Sequence, residues 1–283
     1  MNFIPMARLL ERASAAGYAV PSFCVWNAET MRTVLAVAAD LKAPVIVMTG
    51  PVEFRLLSPA EMAGVARAMA EPCNIPAAFH LDHGNALSQV EACLAAGYTS
   101  VMLDYSSCPL AENVAAMRQV VALARPRGAT VEGEIGHVGR VDDGTFEGGD
   151  VSNLTDPAEA AAFVAQTGID AVAVSIGNAH GQYVGLPQLD FDRLAAIRAA
   201  VPVPLVLHGG SGTPEADLRR AISLGIAKVN VATELIAAVR ESLLEQWQSR
   251  ENLWAPAAQA VAMQAMGPVV EKWIRITGAA GRA

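Results

Sequence analysis

Five histidines occur in this chain, and each falls within or just after the C-terminal end of a short apolar run. The third run ends in His80-Leu81-Asp82-His83-Gly84 and the fourth in Asp104. The fifth ends in Glu132-Gly133-Glu134, with His137 following, and the sixth in Ser175-Ile176-Gly177-Asn178-Ala179-His180-Gly181. The seventh ends in His208-Gly209-Gly210-Ser211-Gly212 and the eighth in Asn230-Val231-Ala232-Thr233. Taken alone, a histidine near a strand end is ordinarily a hydrogen-bonded structural residue. Three from separate strands on one rim, with carboxylates nearby, point to a metal. Three imidazoles that leave one position open make the arrangement of a catalytic zinc site. Spacing alone does not choose between His80 and His83. Strand alternation puts His80 and Asp82 on one face and leaves His83 at the turn.

The glycine clusters carry a second chemistry. Backbone N–H groups at a glycine-rich turn that feeds a helix N-terminus form an anion site. The stretches His208-Gly209-Gly210-Ser211-Gly212-Thr213-Pro214 and Asn230-Val231-Ala232-Thr233 have that character, with hydroxyls and amides between the glycines. Glycines that only make tight turns are the plainer alternative. A metal beside an anion site suits a phosphorylated substrate with a carbonyl to polarise.

The elements that must hold these residues follow from periodicity. Eight apolar runs are visible: Tyr18–Cys24, Pro44–Met48, Ala77–Leu81, Ser100–Leu103, Ala129–Glu134, Ala171–Ile176, Val203–Leu207 and Ala227–Val231. Segments of 3.6-residue periodicity separate most of them. Ser58-Pro59, Thr213-Pro214 and Thr155-Asp156-Pro157 read as helix entries, a capping side chain before a proline. Eight strand–helix units with no break in composition predict an α/β fold, a (β/α)8 TIM barrel over residues 1–283, as one domain. An open, doubly wound sheet is the alternative; no Gly-x-Gly-x-x-Gly follows the first run to support it. Residues 141–152 are polar, glycine-rich and aperiodic, which predicts a mobile loop over the site. Two further helices, Thr233–Trp247 and Ala255–Ile276, close the chain, carrying Trp247 and Trp273 with Trp254 between them. They pack on the barrel or form a dimer face.

Composition agrees. Hydrophobic residues make up 53% of the 283 and aromatic ones only 5%, an aliphatic core suited to parallel strands buried on both faces. A net charge of -8 without a basic run argues against a nucleic-acid partner, so an anionic substrate needs local attraction. Cys24, Cys73, Cys93 and Cys108 show no metal-knuckle or disulfide spacing. The N-terminus lacks a charged leader with an apolar core, and no apolar run is long enough to span a membrane. A cytoplasmic protein with no membrane partner is expected.

His-Leu-Asp-His-Gly (80–84), Val-Met-Leu-Asp (101–104), Val-Glu-Gly-Glu-Ile-Gly (131–136), the segment 167–181, the segment 203–212 and Lys-Val-Asn-Val-Ala-Thr-Glu-Leu (228–235) together resemble the class II fructose-bisphosphate aldolase family. Within it they are most similar to the tagatose-bisphosphate and related ketose-phosphate aldolases. The resemblance implies zinc on His83, His180 and His208, with Asp104 and Glu134 as acidic positions around the metal. It implies a proton exchanged between Asp82 and the aldehyde oxygen. It places the dihydroxyacetone phosphate end at Gly181, Gly209, Gly210, Ser211, Asn230, Val231, Ala232 and Thr233, beside a monovalent cation (Na+ or K+). It also implies a homodimer or homotetramer. Such a zinc ion would supply the Lewis acid that offsets the charge left at C3 when the C3–C4 bond breaks. The glutamate that handles the C3 proton in the family corresponds to Asp142, one methylene shorter, with Asp143 and Glu147 as substitutes.

Departures from the family pattern bear on the substrate. Cys24 stands where many relatives have Asn, and Val184 where several have a phosphate-facing Lys. The stretch Trp254-Ala255-Pro256-Ala257-Ala258-Gln259-Ala260 has no counterpart of the arginines that serve a distal phosphate. Without such a cation the phosphate loses charge-assisted hydrogen bonds of about 1.5–3 kcal/mol each. An unphosphorylated aldehyde product is therefore expected. Phe23-Cys24-Val25-Trp26-Asn27-Ala28-Glu29 resembles relatives that accept such aldehydes. Two other functions compete. A metal-dependent TIM-barrel hydrolase would add His-x-His on the first strand, which Ser22-Phe23-Cys24-Val25 lacks; a non-catalytic partner subunit would have lost part of the metal set or Asp82.

Overall fold

The computed structural model describes residues 3–139, 154–181, 187–249 and 254–283. Eight strands run in chain order: β1 (Val20–Cys24), β2 (Val45–Thr49), β3 (Ala77–Gly84), β4 (Ser100–Leu103), β5 (Thr130–Ile135), β6 (Ala171–Val174), β7 (Leu205–Leu207) and β8 (Ile226–Val231). Each pairs in parallel with the next, and β8 returns to β1, with Val20 opposite Lys228 and Phe23 opposite Val231. That last ladder closes the sheet into a (β/α)8 barrel and excludes the open alternative. Every residue of β2, β4 and β6 is buried, which is why these strands read as unbroken apolar runs rather than alternating ones.

The helices are α1 (Met6–Ala16), α2 (Ala28–Asp40), α3 (Pro59–Ala70), α4 (Leu87–Ala96), α5 (Leu110–Ala124), α6 (Pro157–Thr167), α7 (Phe191–Ala200), α8 (Glu215–Ser223), α9 (Thr233–Gln248) and α10 (Ala255–Ile276). Their ends follow local chemistry. Ser58 and Glu61 form a reciprocal capping box at α3, and the Asp156 carboxylate accepts from the N–H groups of Ala158 and Glu159 at α6. The Thr213-Pro214 entry differs from expectation. Pro214 itself stays extended (ψ 138°), α8 begins one residue later, and no side chain caps it. The Thr213 N–H instead closes a turn onto the Gly210 carbonyl, so this threonine belongs to the site loop rather than to the helix.

The two C-terminal helices lie against the barrel: α10 packs on α9, α2 and β1. Trp273 is buried, its indole N–H donating to Glu234, whereas Trp247 and Trp254 are exposed. Among the described residues no helix is long and apolar enough to cross a membrane.

One strand departs from regular geometry where it matters. Past Leu81, β3 shifts register against β4, and His83 adopts a positive φ of 45°, uncommon for a residue other than glycine. Regular alternation would send Asp82 and His83 to opposite faces. The bulge lets both reach the same cavity.

Candidate active site

The strand C-termini surround a cavity of about 490 Å³, a volume in the range that holds a sugar-phosphate-sized ligand. Asp82 and His83 come from β3, His180 from the loop after β6, and His208 from the residue after β7. The ring nitrogens of the three histidines lie within 4.8 Å of one another.

Hydrogen bonds behind the rings decide which nitrogen faces inward. Nδ1 of His83 lies 2.8 Å from Asp104 Oδ2, and Nδ1 of His180 lies 3.3 Å from the Val138 carbonyl. An ionised carboxylate and a carbonyl only accept, so each Nδ1 carries a proton, and in the neutral ring each Nε2 presents a lone pair. Those two Nε2 atoms are 3.2 Å apart. His208 is turned the other way: its Nε2 donates to Glu132 Oε1 at 2.8 Å, and its Nδ1 points inward, 3.0 Å from Glu134 Oε2. Neither that Nδ1 nor that Oε2 makes a well-directed hydrogen bond, although both are fully buried. Facing lone pairs in a buried site repel unless a proton or a cation stands between them. Two inward Nε2 atoms, one inward Nδ1 and an orphaned carboxylate oxygen therefore fit a divalent cation.

The charges tell the same story. Burial opposes protonation of His208, but Glu132 and Glu134 outweigh it and raise its pKa to about 10. That nitrogen is poised to hold a positive species at neutral pH. Burial would raise the Asp82 pKa, yet positive charge on His83, His208 and Lys228 lowers it to about 2. Asp82 stays ionised, with Oδ1 accepting from Asn230 Nδ2 at 2.9 Å. Asp104 also lies below the ordinary carboxylate range: burial is overcome by its hydrogen bond with His83 and by two from Ser106.

The structure thus brings together His83, His180, His208, Asp82, Glu134 and Asn230. Asp104 stands behind His83, where a carboxylate orients a ligand histidine. Of the phosphate-loop residues, Gly181, Gly209, Ser211, Asn230, Ala232 and Thr233 line the cavity. Gly210 and Val231 lie behind it: the Gly210 N–H is taken by the Asn230 carbonyl, and Val231 is buried in β8. His137 pairs with Ser106 Oγ outside the triad. Asp142, Asp143, Glu147 and Val184 lie outside the described residues.

Two features escaped the sequence reading. Lys228, in the middle of β8, is fully buried and pairs with Glu132 at 2.7 Å; Glu132 in turn holds His208. A lysine within the apolar strand Ile-Ala-Lys-Val-Asn-Val was the available signal. His80 joins this layer through Ser100 and through Nε2, 3.4 Å from Lys228 Nζ; burial first and the lysine second lower its pKa to about 3. His80 thus lies in the buried layer, where it forms a second candidate group with Asp82 and Glu132, and His83 is at the rim with His180 and His208. The second feature is Glu53, after the end of β2, a strand end with no histidine to draw attention.

Comparison with known proteins agrees with this geometry. The family model for class-II fructose-bisphosphate aldolase matches residues 4–282. The YdjI aldolase of Escherichia coli K12 superposes with a TM-score of 0.89 at 33% identity, covering 99% of each chain. The fructose-bisphosphate aldolase (Fba) of Campylobacter jejuni shares the fold, with a TM-score of 0.86 at 21% identity over 100% of this chain and 97% of that one. Eight parallel strands closed into a barrel, a histidine triad with an aspartate at its mouth, and a family match over almost every residue lead to one conclusion: the chain belongs to the class II fructose-bisphosphate aldolase family, whose members are carbon–carbon lyases.

Proposed function

We propose that this protein is a zinc-dependent aldolase that reversibly cleaves a ketose 1-phosphate or 1,6-bisphosphate to dihydroxyacetone phosphate and an aldehyde, with the unphosphorylated aldehyde preferred. The inward-facing triad of His83, His180 and His208, beside ionised Asp82, carries this reading. A divalent cation held by those three residues, with Glu134 at its side, would polarise the ketose carbonyl and stabilise the charge left at C3 when the C3–C4 bond breaks. Zinc suits three imidazoles with one open position. Asp104 and Glu132 fix the rings of His83 and His208 from behind.

Asp82 takes the proton of the C4 hydroxyl in cleavage and returns it in condensation. Asn230 holds its Oδ1, which leaves Oδ2 for the substrate. The phosphate of the dihydroxyacetone end sits by Gly181, Gly209, Ser211, Ala232 and Thr233, where the N-terminus of α9 attracts an anion. Na+ or K+ beside it would offset the remaining charge. The C3 proton is assigned to Asp142. The chain acts as one domain and as a homodimer or homotetramer; exposed Leu244, Trp247 and Trp254 support such assembly.

Preference for an unphosphorylated aldehyde is supported by the cavity lining, which among the described residues contains no Lys or Arg. A cleavage assay over paired ketose 1-phosphates and 1,6-bisphosphates, detecting dihydroxyacetone phosphate, tests the reading. Turnover of a 1-phosphate at least equal to its bisphosphate is expected. Strict dependence on the distal phosphate would contradict it.

A further inference from the structure

Around the barrel, the rim between β8 and β3 consists of the ends of β1 and β2. Here the cavity is lined by Cys24, Met48, Gly50 and Glu53. Glu53 opens a short 3-10 turn, Glu53–Arg55, and its carboxylate is held in place rather than loose. Its Oε2 accepts from the Gly50 N–H at 2.8 Å, and its Oε1 faces the Cys24 thiol at 3.7 Å. Gly50 is itself pressed against Asp82: a Cβ there would come within 2.8 Å of the Asp82 carbonyl and 3.4 Å of Glu53 Oε2. The Glu53 carboxylate and Asp82 thus line the same cavity, and the Cys24 thiol feels the charge of both. It is half-buried, and among the described residues it has no ion-pair partner. Two accepted hydrogen bonds leave lone pairs unused on a carboxylate that has about four such positions.

We propose that Glu53 determines specificity for the aldehyde half of the substrate, accepting hydrogen bonds from the hydroxyls beyond C4 of a neutral polyhydroxylated chain and repelling a chain that ends in phosphate. This rests on the aldolase reading with Asp82 at C4, and it adds a residue and a recognition chemistry to it. With the dihydroxyacetone phosphate end assigned to the loops after β6, β7 and β8, the wall of the cavity left for the carbon atoms past C4 is the one that holds Glu53. Sugar hydroxyls are donors, and a charged acceptor binds them more strongly than a neutral one. A phosphate dianion brings only acceptors and like charge to the same place.

Steady-state kinetics on a matched ketose 1-phosphate and 1,6-bisphosphate test the proposal with wild type, Glu53→Gln and Glu53→Asp. Glutamine keeps an acceptor for the Gly50 N–H, so it separates charge from the hold on the turn. For Glu53→Gln, kcat/KM on the 1-phosphate should fall about tenfold, mainly through KM, while on the bisphosphate it should rise several-fold. Glu53→Asp retains the charge but retracts it; it should lose on the 1-phosphate and gain nothing on the bisphosphate. Equal losses on both substrates in both variants would show a structural role and overturn the proposal, as would no change in either. Wild-type protein that cleaves neither substrate would instead overturn the aldolase reading beneath it.

Discussion

Asp82 and the histidines around it divide their labour through what lies behind each ring. Asp82→Asn keeps the shape and an acceptor for Asn230 but cannot take a proton. Its kcat should fall roughly 10²–10⁴-fold while bound zinc, measured by metal analysis, stays at the wild-type level. Loss of zinc along with activity would move Asp82 from proton transfer to metal holding. His80 offers a different test. Its pKa is about 6.5 in an unfolded chain and about 3 in the buried layer, where burial and Lys228 disfavour its charge. As pH falls from about 6.5 towards 3, the unfolded chain binds a proton that the fold refuses. His80 thus removes up to about 1.4 kcal/mol of stability per pH unit across that window. His80→Gln should therefore show a smaller drop in Tm between pH 7 and 4.5 than wild type. Identical slopes would show that His80 is not held neutral. At this scale histidines at strand ends could be read from sequence because their residue type is informative. Glu53 could not, since a carboxylate after a strand is ordinary until the fold shows what it faces; Lys228 stood out in an apolar strand, but its partner Glu132 comes from another one.

The elements explain why those residues meet. In β3 the bulge after Leu81 and the left-handed His83 turn two consecutive side chains into one cavity. Alternation alone predicted their separation, and no turn residue marks the bulge in His-Leu-Asp-His. The loop after β7 is tighter still. Gly209 has φ 63°, and a Cβ there would fall 1.9 Å from the Ala179 carbonyl, the residue just before His180. Gly209→Ala should thus destabilise by about 2–4 kcal/mol in denaturant melts and weaken zinc retention, because the segments bearing His180 and His208 must part. A variant with wild-type stability and metal content would show that this approach is not needed. Helix boundaries were more legible. Capping boxes such as Ser58 with Glu61 are local, whereas at Thr213 a tertiary turn claimed the residue that sequence had offered to a helix.

For the molecule as a whole, eight apolar runs separated by helical segments were enough for the barrel, because burial on both strand faces leaves a continuous hydrophobic trace. Which side chains share the open end was legible too, since a parallel barrel gathers every strand C-terminus on one rim. Ring orientation was not, because it depends on Glu132, Asp104 and the Val138 carbonyl, which come from other parts of the chain. Those orientations turn one nitrogen of each of His83, His180 and His208 towards the others, a donor set that fits a metal ion. Metal removal should accordingly lower Tm by several degrees as well as abolish catalysis. The most direct measurement is therefore made on one preparation: zinc per chain, and release of dihydroxyacetone phosphate from a ketose 1-phosphate, before chelation, after it, and after zinc is restored. About one zinc per chain, with cleavage lost on chelation and regained with zinc, is the expected result. Full cleavage by metal-free protein, or zinc-loaded protein that releases dihydroxyacetone phosphate from no ketose phosphate, would contradict it.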